Sequence, residues 1–489
     1  MVGTSKTRLW LAAGLAVGAA LSASEARGGV FVTTKTADTA DGACDRDCSL
    51  REAVIAANAA PGEDVIVLAP GTYTLTRAAG GDDAGGGDLD FTGSAVLYGS
   101  SAATTAIDGG AIDRVLDVPA DVALEVVGVT LRNGRASGGG GAVRNKGALS
   151  LTRVVLYGNA AIGVGSPGGG VWSAGDGSTL SVAESTIYGN TAAGSGGGIA
   201  VEESAHILNS TVSGNGAGDR GGGLYVDKGT DAAITQATIS GNSAGAKGGG
   251  IYGLDDPFIS VERAHVGRSI LAGNSAPVDR DCSGAVESDG ENVLGDGDFC
   301  LDFGPGKHDL EGTGAAPLDA KLGPLANNGG PTLTQALLAG SPALDKLAAC
   351  EPVDQRGQTR PVTGCDVGAF EVGTQCLDGG PNLCLGEDRY KVTAHWRTAM
   401  FASGEGQAVP LTGDSGLFWF FDPANLELTV KVIDGCGVNG HRWVFLSGLT
   451  NVEVTITVTD TEGGAKKTYS NPLNRNFRPV FDTAAFVCS

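Results

Sequence analysis

A short apolar segment that ends in asparagine recurs along the middle of the chain and limits the folds open to it. The segments TLRN, VLYGN, TIYGN, TVSGN, TISGN and ILAGN end at Asn133, Asn159, Asn190, Asn215, Asn242 and Asn274. These asparagines are 25 to 32 residues apart. Glycine runs follow the first five and end in an apolar residue, at Val143, Val171, Ile199, Leu224 and Ile251. Such a period with short β-rich segments is typical of a solenoid.

The repeat predicts a right-handed parallel β-helix, in which each repeat is one coil of two or three short strands. A single coil cannot bury its apolar residues, so it stacks on its neighbours at about 4.8 Å. The six asparagines then lie at one repeated turn, where their amides form a ladder from coil to coil. A leucine-rich horseshoe would need leucine at fixed offsets, and a propeller would need longer blades with aromatic signatures. Aromatic residues make up 6% of the chain.

Composition and the N-terminus predict an exported protein. Hydrophobic residues make up 42% of the 489 residues, which is enough for a large core. A net charge of −22 should repel nucleic acids and anionic membranes. Residues 1–26 are typical of a signal peptide, because Lys6 and Arg8 precede an apolar run and then small residues. We expect the mature chain to begin near Arg27, to lack a membrane span, and to be secreted or held at the cell surface.

The cysteines agree with an oxidising compartment. None lies between Cys48 and Cys282, where most of the repeats are, so the stacked coils need no cross-links. Cys44–Cys48, Cys282–Cys300 and Cys350–Cys365 are predicted local pairs, whereas Cys376, Cys384, Cys436 and Cys488 can pair in three ways. No CxxC pair or Cys/His cluster has zinc spacing, so we predict disulfides and no metal site.

The stretch CSLREAVIAAN, residues 48–58, predicts a helix that covers the N-terminal end of the solenoid. Ser49 and Glu52 have the spacing of a capping box. Apolar residues at helical spacing are Leu50, Ala53, Val54 and Ala57. The run VIVLAPGTYTL, residues 65–75, then predicts the first strand, turn and second strand.

The CSLREA stretch and the PGTYTL strand resemble the CSLREA family of secreted bacterial β-helix proteins. The glycine-rich and SGN repeats resemble those of pectin-lyase-like β-helices. The stretch DQRGQTRPVTGCDVGAFE, residues 354–371, resembles the closing motif of choice-of-anchor Q surface proteins. The resemblance covers about residues 30–372 and implies a secreted right-handed parallel β-helix.

The composition changes after the closing motif. Strand-like segments alternate with turn signals such as DPAN and DTEGG; they are LFWFFDP, LELTVKVID, RWVFLSG and VEVTITVTD. This pattern predicts a small β-sandwich. We therefore divide the chain into a signal peptide (1–26), a parallel β-helix with end caps (27–374) and a C-terminal β-sandwich module (375–489).

Acidic loops raise the question of a lyase, which would need a calcium-binding carboxylate cluster and a basic residue as proton acceptor. The loops contain Asp82, Asp83, Asp88 and Asp90, then Asp255 and Asp256, then Asp296, Asp298 and Asp302. None has EF-hand spacing, and none adjoins an Arg-Pro-Arg or Trp-Asp-His motif. We interpret them as solvated loops and expect no cofactor; calcium is the ion that the lyase alternative would require.

A glycosidase would instead need carboxylates about 5–10 Å apart on neighbouring coils. Glu202, Glu203 and, one coil later, Asp227 are the candidates that the pattern offers. The interpretation we favour is that they are surface charges. The five histidines are scattered and have no partner pattern for catalysis, so we interpret them as structural; they are His206, His265, His308, His395 and His441.

Two further groups have a binding and a structural interpretation. Arg356 and Arg360, near Asp354 and Asp366, would bind an anion or form a salt-bridged C-terminal cap; we expect the cap. An aromatic group would form a sugar-stacking platform or belong to the sandwich core; we expect the core. Its members are Trp396, Phe418 and Trp419.

The sequence thus favours an exported β-helix protein that is non-catalytic, with an adhesin-like or structural role. The expected partner is an extracellular polysaccharide or another cell-surface ligand, and not a nucleic acid. The alternative is a polysaccharide lyase or glycoside hydrolase of the pectin-lyase-like type. That alternative predicts at least three converging carboxylates, or carboxylates with Arg or Lys, across adjacent coils.

Overall fold

The computed structural model describes residues 28–488, except 79–80, 82–83, 228, 255–262, 339, 362–363, 373–375, 377–379, 387–388, 401 and 462–464. The predicted signal peptide and four of the loop aspartates (Asp82, Asp83, Asp255 and Asp256) lie outside the described residues. The fold is all-β: a parallel β-solenoid of about eight turns is followed by antiparallel sheets, as the sequence predicts. Among the described residues, no helix has the length and apolarity needed to cross a membrane.

In the part of the solenoid that the structure describes there are one α-helix, one 3₁₀ helix at Pro305–Lys307 and many short strands. In chain order the elements up to the middle of the solenoid are β1 (Val30–Val32), α1 (Leu50–Ala59), β2 (Asp64–Leu68), β3 (Gly71–Thr74), β4 (Leu89–Asp90), β5 (Ala95–Gly99), β6 (Thr105–Asp108), β7 (Leu116–Val118), β8 (Ala123–Val127), β9 (Thr130–Arg132), β10 (Arg135–Ala136), β11 (Val143–Asn145), β12 (Ala148–Thr152), β13 (Val155–Tyr157), β14 (Ala160–Ala161), β15 (Val171–Ser173), β16 (Thr179–Ala183), β17 (Thr186–Tyr188) and β18 (Thr191–Ala192).

The later strands repeat the same order. They are β19 (Ile199–Val201), β20 (Ser204–Leu208), β21 (Thr211–Ser213), β22 (Gly216–Ala217), β23 (Leu224–Val226), β24 (Asp231–Thr235), β25 (Thr238–Ser240), β26 (Ser243–Ala244), β27 (Ile251–Gly253), β28 (Ala264–Gly267), β29 (Ile270–Ala272), β30 (Cys282–Gly284), β31 (Val286–Gly290), β32 (Val293–Leu294) and β33 (Leu310–Glu311).

These strands form four parallel sheets that run along the solenoid. Sheet A is β1-β2-β5-β8-β12-β16-β20-β24-β28-β31, and sheet B is β3-β6-β9-β13-β17-β21-β25-β29-β32-β33. Sheet C is β4-β7-β11-β15-β19-β23-β27-β30, and sheet D is β10-β14-β18-β22-β26. A central coil therefore has four strands, and the prediction of two or three was wrong. The additional strands are the two-residue members of sheet D, which are too short to give a sequence pattern.

Apolar side chains at matching positions stack inside the solenoid. Along sheet B, Leu131, Leu156, Ile187 and Val212 are fully buried one above the other. The residues on either side of them in each strand face outward. Because neighbouring coils are in register, every apolar residue of this kind covers the one before it, which explains why the repeat needs no disulfides.

Both ends of the core are covered. At the N-terminal end α1 has the predicted capping box: the Ser49 side chain accepts from the Glu52 N–H and the Glu52 side chain from the Ser49 N–H. Leu50, Ala53 and Val54 of this helix belong to the solenoid core. At the C-terminal end Cys300 and Phe303 pack against the same core.

Residues 317–372, which we call the strap, lie along the outer face of sheet B and include an antiparallel hairpin. Its strands are β34 (Leu322–Ala326) and β35 (Thr334–Leu337). Apolar strap residues such as Leu347 and Phe370 pack on Ile270 and Val293 of sheet B in a separate core. The predicted position of residues 354–371 as an end cap was therefore wrong, because their partners are outward side chains of central coils.

The C-terminal region contains two antiparallel sheets that share one core, which is the predicted β-sandwich. Its elements are β36 (Leu383–Leu385), β37 (Tyr390–Arg397), β38 (Ser403–Glu405), β39 (Gln407–Thr412), β40 (Ser415–Trp419), β41 (Leu426–Gly435), α2 (Cys436–Asn439), β42 (His441–Gly448), β43 (Glu453–Asp460), β44 (Lys466–Asn471) and β45 (Val480–Val487). One sheet is β36-β37-β43-β44 with β38 beside β37, and the other is β39-β40-β41-β42-β45.

All ten cysteines form disulfides, and the three predicted local pairs are confirmed. The four cysteines whose pairing was open form Cys376–Cys384 and Cys436–Cys488. Five disulfides outside the central coils agree with an oxidising compartment.

Candidate functional site

The asparagine turn forms a buried ladder over five of the six predicted positions. In each rung the side-chain Nδ2 of one asparagine donates to Oδ1 of the next, at 2.9–3.0 Å, through Asn159, Asn190, Asn215, Asn242 and Asn274. The main-chain N–H donates to the same Oδ1, and Nδ2 also donates to a strand carbonyl of the preceding coil, as Asn190 does to Leu156. Both polar atoms of each ladder side chain therefore form hydrogen bonds that link neighbouring coils.

Asn133 is not part of the ladder, and its assignment there is corrected. It has a positive φ of 54°, is exposed, and donates through Nδ2 to Asp108 at 2.9 Å. In the register of β9 with β13, Asn133 matches Gly158, which has a φ of 65°, and Gly134 matches Asn159. The TLRNG segment thus reverses the Gly-Asn order of the later coils, and Asn133 occupies the left-handed position that glycine takes elsewhere.

Glu202 and Asp227, the predicted carboxylate candidates, lie at equivalent positions on adjacent coils, directly after β19 and β23. Each interacts with an aromatic residue of sheet C. Trp172 Nε1 donates to Glu202 at 2.9 Å, and the Tyr225 hydroxyl donates to Asp227 at 3.3 Å. Glu203 is half-buried beside them. This arrangement orients two aromatic side chains and does not require catalysis.

A buried cluster of three carboxylates lies elsewhere, at the N-terminal end of sheet C. Oxygens of Asp88, Asp90 and Asp117 lie within 4.8 Å of one another, and all three residues are buried. The sequence pattern indicated Asp88 and Asp90 but not Asp117, which lies on the adjacent strand of sheet C. The pairing of β4 with β7 brings Asp117 beside Asp90, and a lone aspartate in a strand gives no signal of this.

Two arginines hold this cluster. Arg114 Nε lies 2.6 Å from Asp88, and Arg144 Nε donates to Asp117 at 3.0 Å. Burial and the nearby Asp113 raise the pKa of Asp88 from 3.8 to about 6, although Arg114 opposes the shift. The cluster is therefore an ion-paired network inside the protein, without an open face to a substrate.

A second carboxylate-rich region is the wide cleft, a volume of about 500 Å³ where the strap begins beside the last coils. Arg280, Asp281, Asp296, Asp319 and Lys321 line it. Asp296 comes from the third predicted acidic loop and is buried, so the description of that loop as solvated is wrong for this residue. Asp298 and Asp302 of the same loop interact with the Gly314 N–H and with Lys307.

Asp281 ends the asparagine ladder. Its Oδ1 accepts from both the N–H and Nδ2 of Asn274, and its Oδ2 accepts from the Asp296 N–H at 2.7 Å. Burial raises its pKa from 3.8 to about 6, while these hydrogen bonds oppose the shift. Because a carboxylate accepts and does not donate, Asp281 satisfies the last rung without needing another.

The arginines of residues 354–371 are internal to the strap, so the salt-bridged interpretation is confirmed and anion binding is not supported. Arg356 pairs with Asp354 at 2.7 Å, and Arg360, which is fully buried, donates to Glu371 at 2.9 Å. The Asp366 carboxylate accepts from the Asp345 and Val372 N–H groups. Burial, and then the Asp366 charge, raise the pKa of Glu371 from 4.5 to about 7.

The tyrosine cleft lies on the outside of the solenoid and is lined by aromatic and polar side chains. It has a volume of about 280 Å³ and lies where the strap hairpin stops and sheet B becomes uncovered. Its lining includes Thr72, Thr130, Arg132, Tyr157, Tyr188 and Asn327. The sequence pattern did not indicate it, because its parts come from five coils and the strap.

The wall of this cleft is fixed by direct contacts. The Tyr157 and Tyr188 rings stack with centroids 5.1 Å apart and planes 16° apart. Arg132 Nη1 donates to the Tyr157 hydroxyl at 3.0 Å, and Arg132 Nε donates to Asp108 at 2.9 Å. A recurring outward aromatic in VLYGN and TIYGN is the sequence signal that would have found the wall.

The aromatic group of the sandwich splits between two faces. Phe418 is fully buried in the core, and Trp396 packs against that core and lies 4.7 Å from the ring of Phe421, as the core interpretation expects. Trp419 is half-buried on the opposite side of β40, so the three do not form one platform. The second group of potential metal ligands among the described residues, Asp434 with Cys436 and Cys488, contains two disulfide sulfurs.

The histidines do not converge. His265 lies 3.2 Å from Asp289 and His395 lies 3.0 Å from Glu405, and both imidazoles are partly exposed. Burial lowers the pKa of His206.

Comparison of the chain with protein-family models, curated proteins and solved structures finds no match.

Proposed function

We propose that this chain is an exported, non-catalytic β-helix protein of the cell surface or the medium, with an adhesin-like or structural role. The observation that carries the proposal is the state of the one solenoid cluster of three carboxylates found among the described residues. Asp88, Asp90 and Asp117 are buried, and two of them form ion pairs, Asp88 with Arg114 and Asp117 with Arg144. Carboxylates of a lyase or glycosidase must instead reach the substrate.

The proposed location rests on the signal-like N-terminus and the five disulfides. The CSLREA and closing-motif resemblance supports membership of the secreted bacterial β-helix proteins. We assign residues 27–374 to the body and residues 375–489 to a separate module. The body would present its outer face to an extracellular polysaccharide or another surface ligand.

A polysaccharide lyase or hydrolase is the second candidate, and the wide cleft favours it. Asp281, with its raised pKa, shares that cleft with Asp296, Arg280 and Lys321. Against it, both Asp281 carboxylate oxygens already accept hydrogen bonds from the main chain or from Asn274. A proton donor or acceptor in that state would first have to break the end of the ladder.

One experiment separates the two candidates. The exported protein is incubated with polygalacturonate and calcium, and with neutral glycans, while unsaturated product and new reducing ends are measured. We expect no product from the native protein. Turnover that disappears in Asp296→Asn but persists in the control Asp121→Asn, which is exposed and lies outside the cleft, would overturn the non-catalytic proposal. Fractionation of the expressing cells tests the location, and retention in the cytoplasm would contradict it.

A further inference from the structure

The strap and the tyrosine cleft occupy one continuous outer face of sheet B. The strap covers it from β17 onward, where the Thr186 hydroxyl donates to the Leu333 carbonyl at 2.6 Å. On the N-terminal side of β17 the outward residues Thr72, Thr130 and Val155 form the floor of the cleft. The turn between β34 and β35 closes one end of the cleft.

The lining of the cleft fits an uncharged ligand. Its hydrogen-bonding groups are hydroxyls, amides and one guanidinium, and the charge of Arg132 is offset by Asp108 at 2.9 Å. The chain as a whole carries a charge of −22, which repels polyanions at a distance. A polyuronate or another anionic chain would meet this repulsion without finding a free cation in the wall.

The tyrosine pair is rigid before any ligand arrives. Tyr157 is held on one side by the ring of Tyr188 and on the other by Arg132, which is itself fixed by Asp108. Because these side chains are already ordered, binding a ligand does not incur the loss of conformational entropy that ordering them would require. Aromatic rings beside hydroxyls suit a molecule with both C–H surfaces and hydroxyls, as a pyranose ring has.

We propose that the tyrosine cleft is a binding site for one or two units of a neutral polysaccharide. The cleft volume of about 280 Å³ is at the small end of ligand sites. A glycan chain would leave the cleft along the uncovered face, away from the strap. The proposal names the ligand class and site for the surface role proposed above and rests on that role.

The test uses the exported full protein and affinity electrophoresis in gels containing soluble β-glucan, galactomannan or xyloglucan, with polygalacturonate as the anionic probe. We expect retardation by at least one neutral glycan and none by polygalacturonate. Tyr188→Ala should weaken that binding about fivefold or more, since it removes an aromatic contact and the support of Tyr157.

Tyr225→Ala is the matched control. Tyr225 belongs to a similar pair on sheet C, stacked on Tyr252 with centroids 5.9 Å and planes 2° apart. It should leave glycan binding unchanged, and the melting temperatures of both variants identify any loss through unfolding. A Thr72→Trp variant, which fills the floor without removing a wall residue, should also abolish binding.

Four outcomes would overturn the site: no retardation by any neutral glycan, preference for polygalacturonate, equal effects of Tyr188→Ala and Tyr225→Ala, or unchanged binding in Thr72→Trp. Capture of an extended peptide in place of glycans would assign the cleft to a protein partner and would also overturn it. None of these results bears on export or on the absence of turnover, which the fractionation and product assays measure separately.

Discussion

Asn274 and Asp281 meet at the end of the asparagine ladder, where the N–H and Nδ2 of Asn274 donate to the same carboxylate oxygen at 3.0 and 2.8 Å. The ladder runs in one direction, because each rung gives two hydrogens to the next. A series of hydrogen bonds with one direction must end on a group that accepts hydrogen bonds. Asp281 is that group, and a second aspartate repeats the arrangement: Asp309 Oδ1 accepts from the N–H and Nδ2 of Asn292.

The Asp281→Asn substitution should destabilise the solenoid by about 1–3 kcal/mol. The new amide keeps an acceptor for Asn274 but turns a donor toward the Asp296 N–H. Urea unfolding followed by circular dichroism measures the effect. Asp319→Asn, exposed in the same cleft, should change the free energy of unfolding by less than about 0.5 kcal/mol. Equal effects of the two would show that the ladder end is not specific.

Replacing Asn215 with alanine should cost about 1–3 kcal/mol, since it leaves the N–H and Nδ2 of Asn190 without their acceptor. Asn133→Gly should be nearly neutral, because Asn133 is exposed and glycine favours its positive φ. The melting temperatures of the two variants compare Asn215, which belongs to the ladder, with Asn133, which matches the ladder asparagines in sequence but lies outside it. An unchanged melting temperature for Asn215→Ala would mean that the ladder contributes little.

Gln355 should be the main attachment of the strap. Its Oε1 accepts from the Thr211 hydroxyl at 2.6 Å, and its Nε2 donates to Thr186, Thr332 and Leu333. Gln355→Ala leaves buried hydroxyls without partners, at a cost of about 1–3 kcal/mol. Hydrogen exchange should rise over residues 331–337, but not in the half-exposed control Gln358→Ala. Unchanged exchange there would place the attachment elsewhere.

Asp88 should make the solenoid more stable in mild acid. Its folded pKa of about 6 lies above the ordinary value of 3.8, so the folded state binds the proton more tightly in that window. Stability should therefore rise as pH falls from about 6 to 4, and fall as pH rises through 6, by up to about 3 kcal/mol for this group. Urea unfolding at several pH values should show a shallower slope in Asp88→Asn and an unaltered one in the exposed control Asp121→Asn.

Glu52 should change the pH dependence of stability in the opposite direction to Asp88. Burial would raise its pKa, but hydrogen bonds from Ser49, Thr39 and Asp41 outweigh it and hold the pKa at about 2. Its contribution is present above pH 4.5 and is lost as pH falls toward 2. At neutral pH, Glu52→Gln should cost about 1 kcal/mol through the capping box. Glu63→Gln, which is exposed, should show neither the cost nor the change in acid dependence.

The sequence predicted features whose residues are close along the chain or recur at a fixed interval. The stacked apolar strands, the Ser49–Glu52 box, three disulfides and the five asparagines of the ladder belong to this kind. Asn133 was misplaced because a single exchange of Gly and Asn moves the side chain to the neighbouring position. A repeat counted by residue type does not detect that exchange.

The strap and the clefts could not be predicted for a different reason. Gln355 and Thr211 are 144 residues apart, and no periodic pattern in the sequence indicates that the strap contacts the threonines of sheet B. The same holds for Asp117, which joins Asp88 and Asp90 through sheet pairing alone. Sites assembled from several coils depend on register, and register comes from packing that a single sequence does not display.

The strap changes how the solenoid should respond to mechanical load. In a simple stack each coil contacts its two neighbours, so a pull on one end peels the coils off one at a time. Here the strap joins Glu184 to Thr332, Gln236 to Glu351 and Thr238 to Ala369 along the outside. The braced coils can separate only after the strap detaches, so they should rupture together at one force. A solenoid braced in this way should resist shear as a rigid rod.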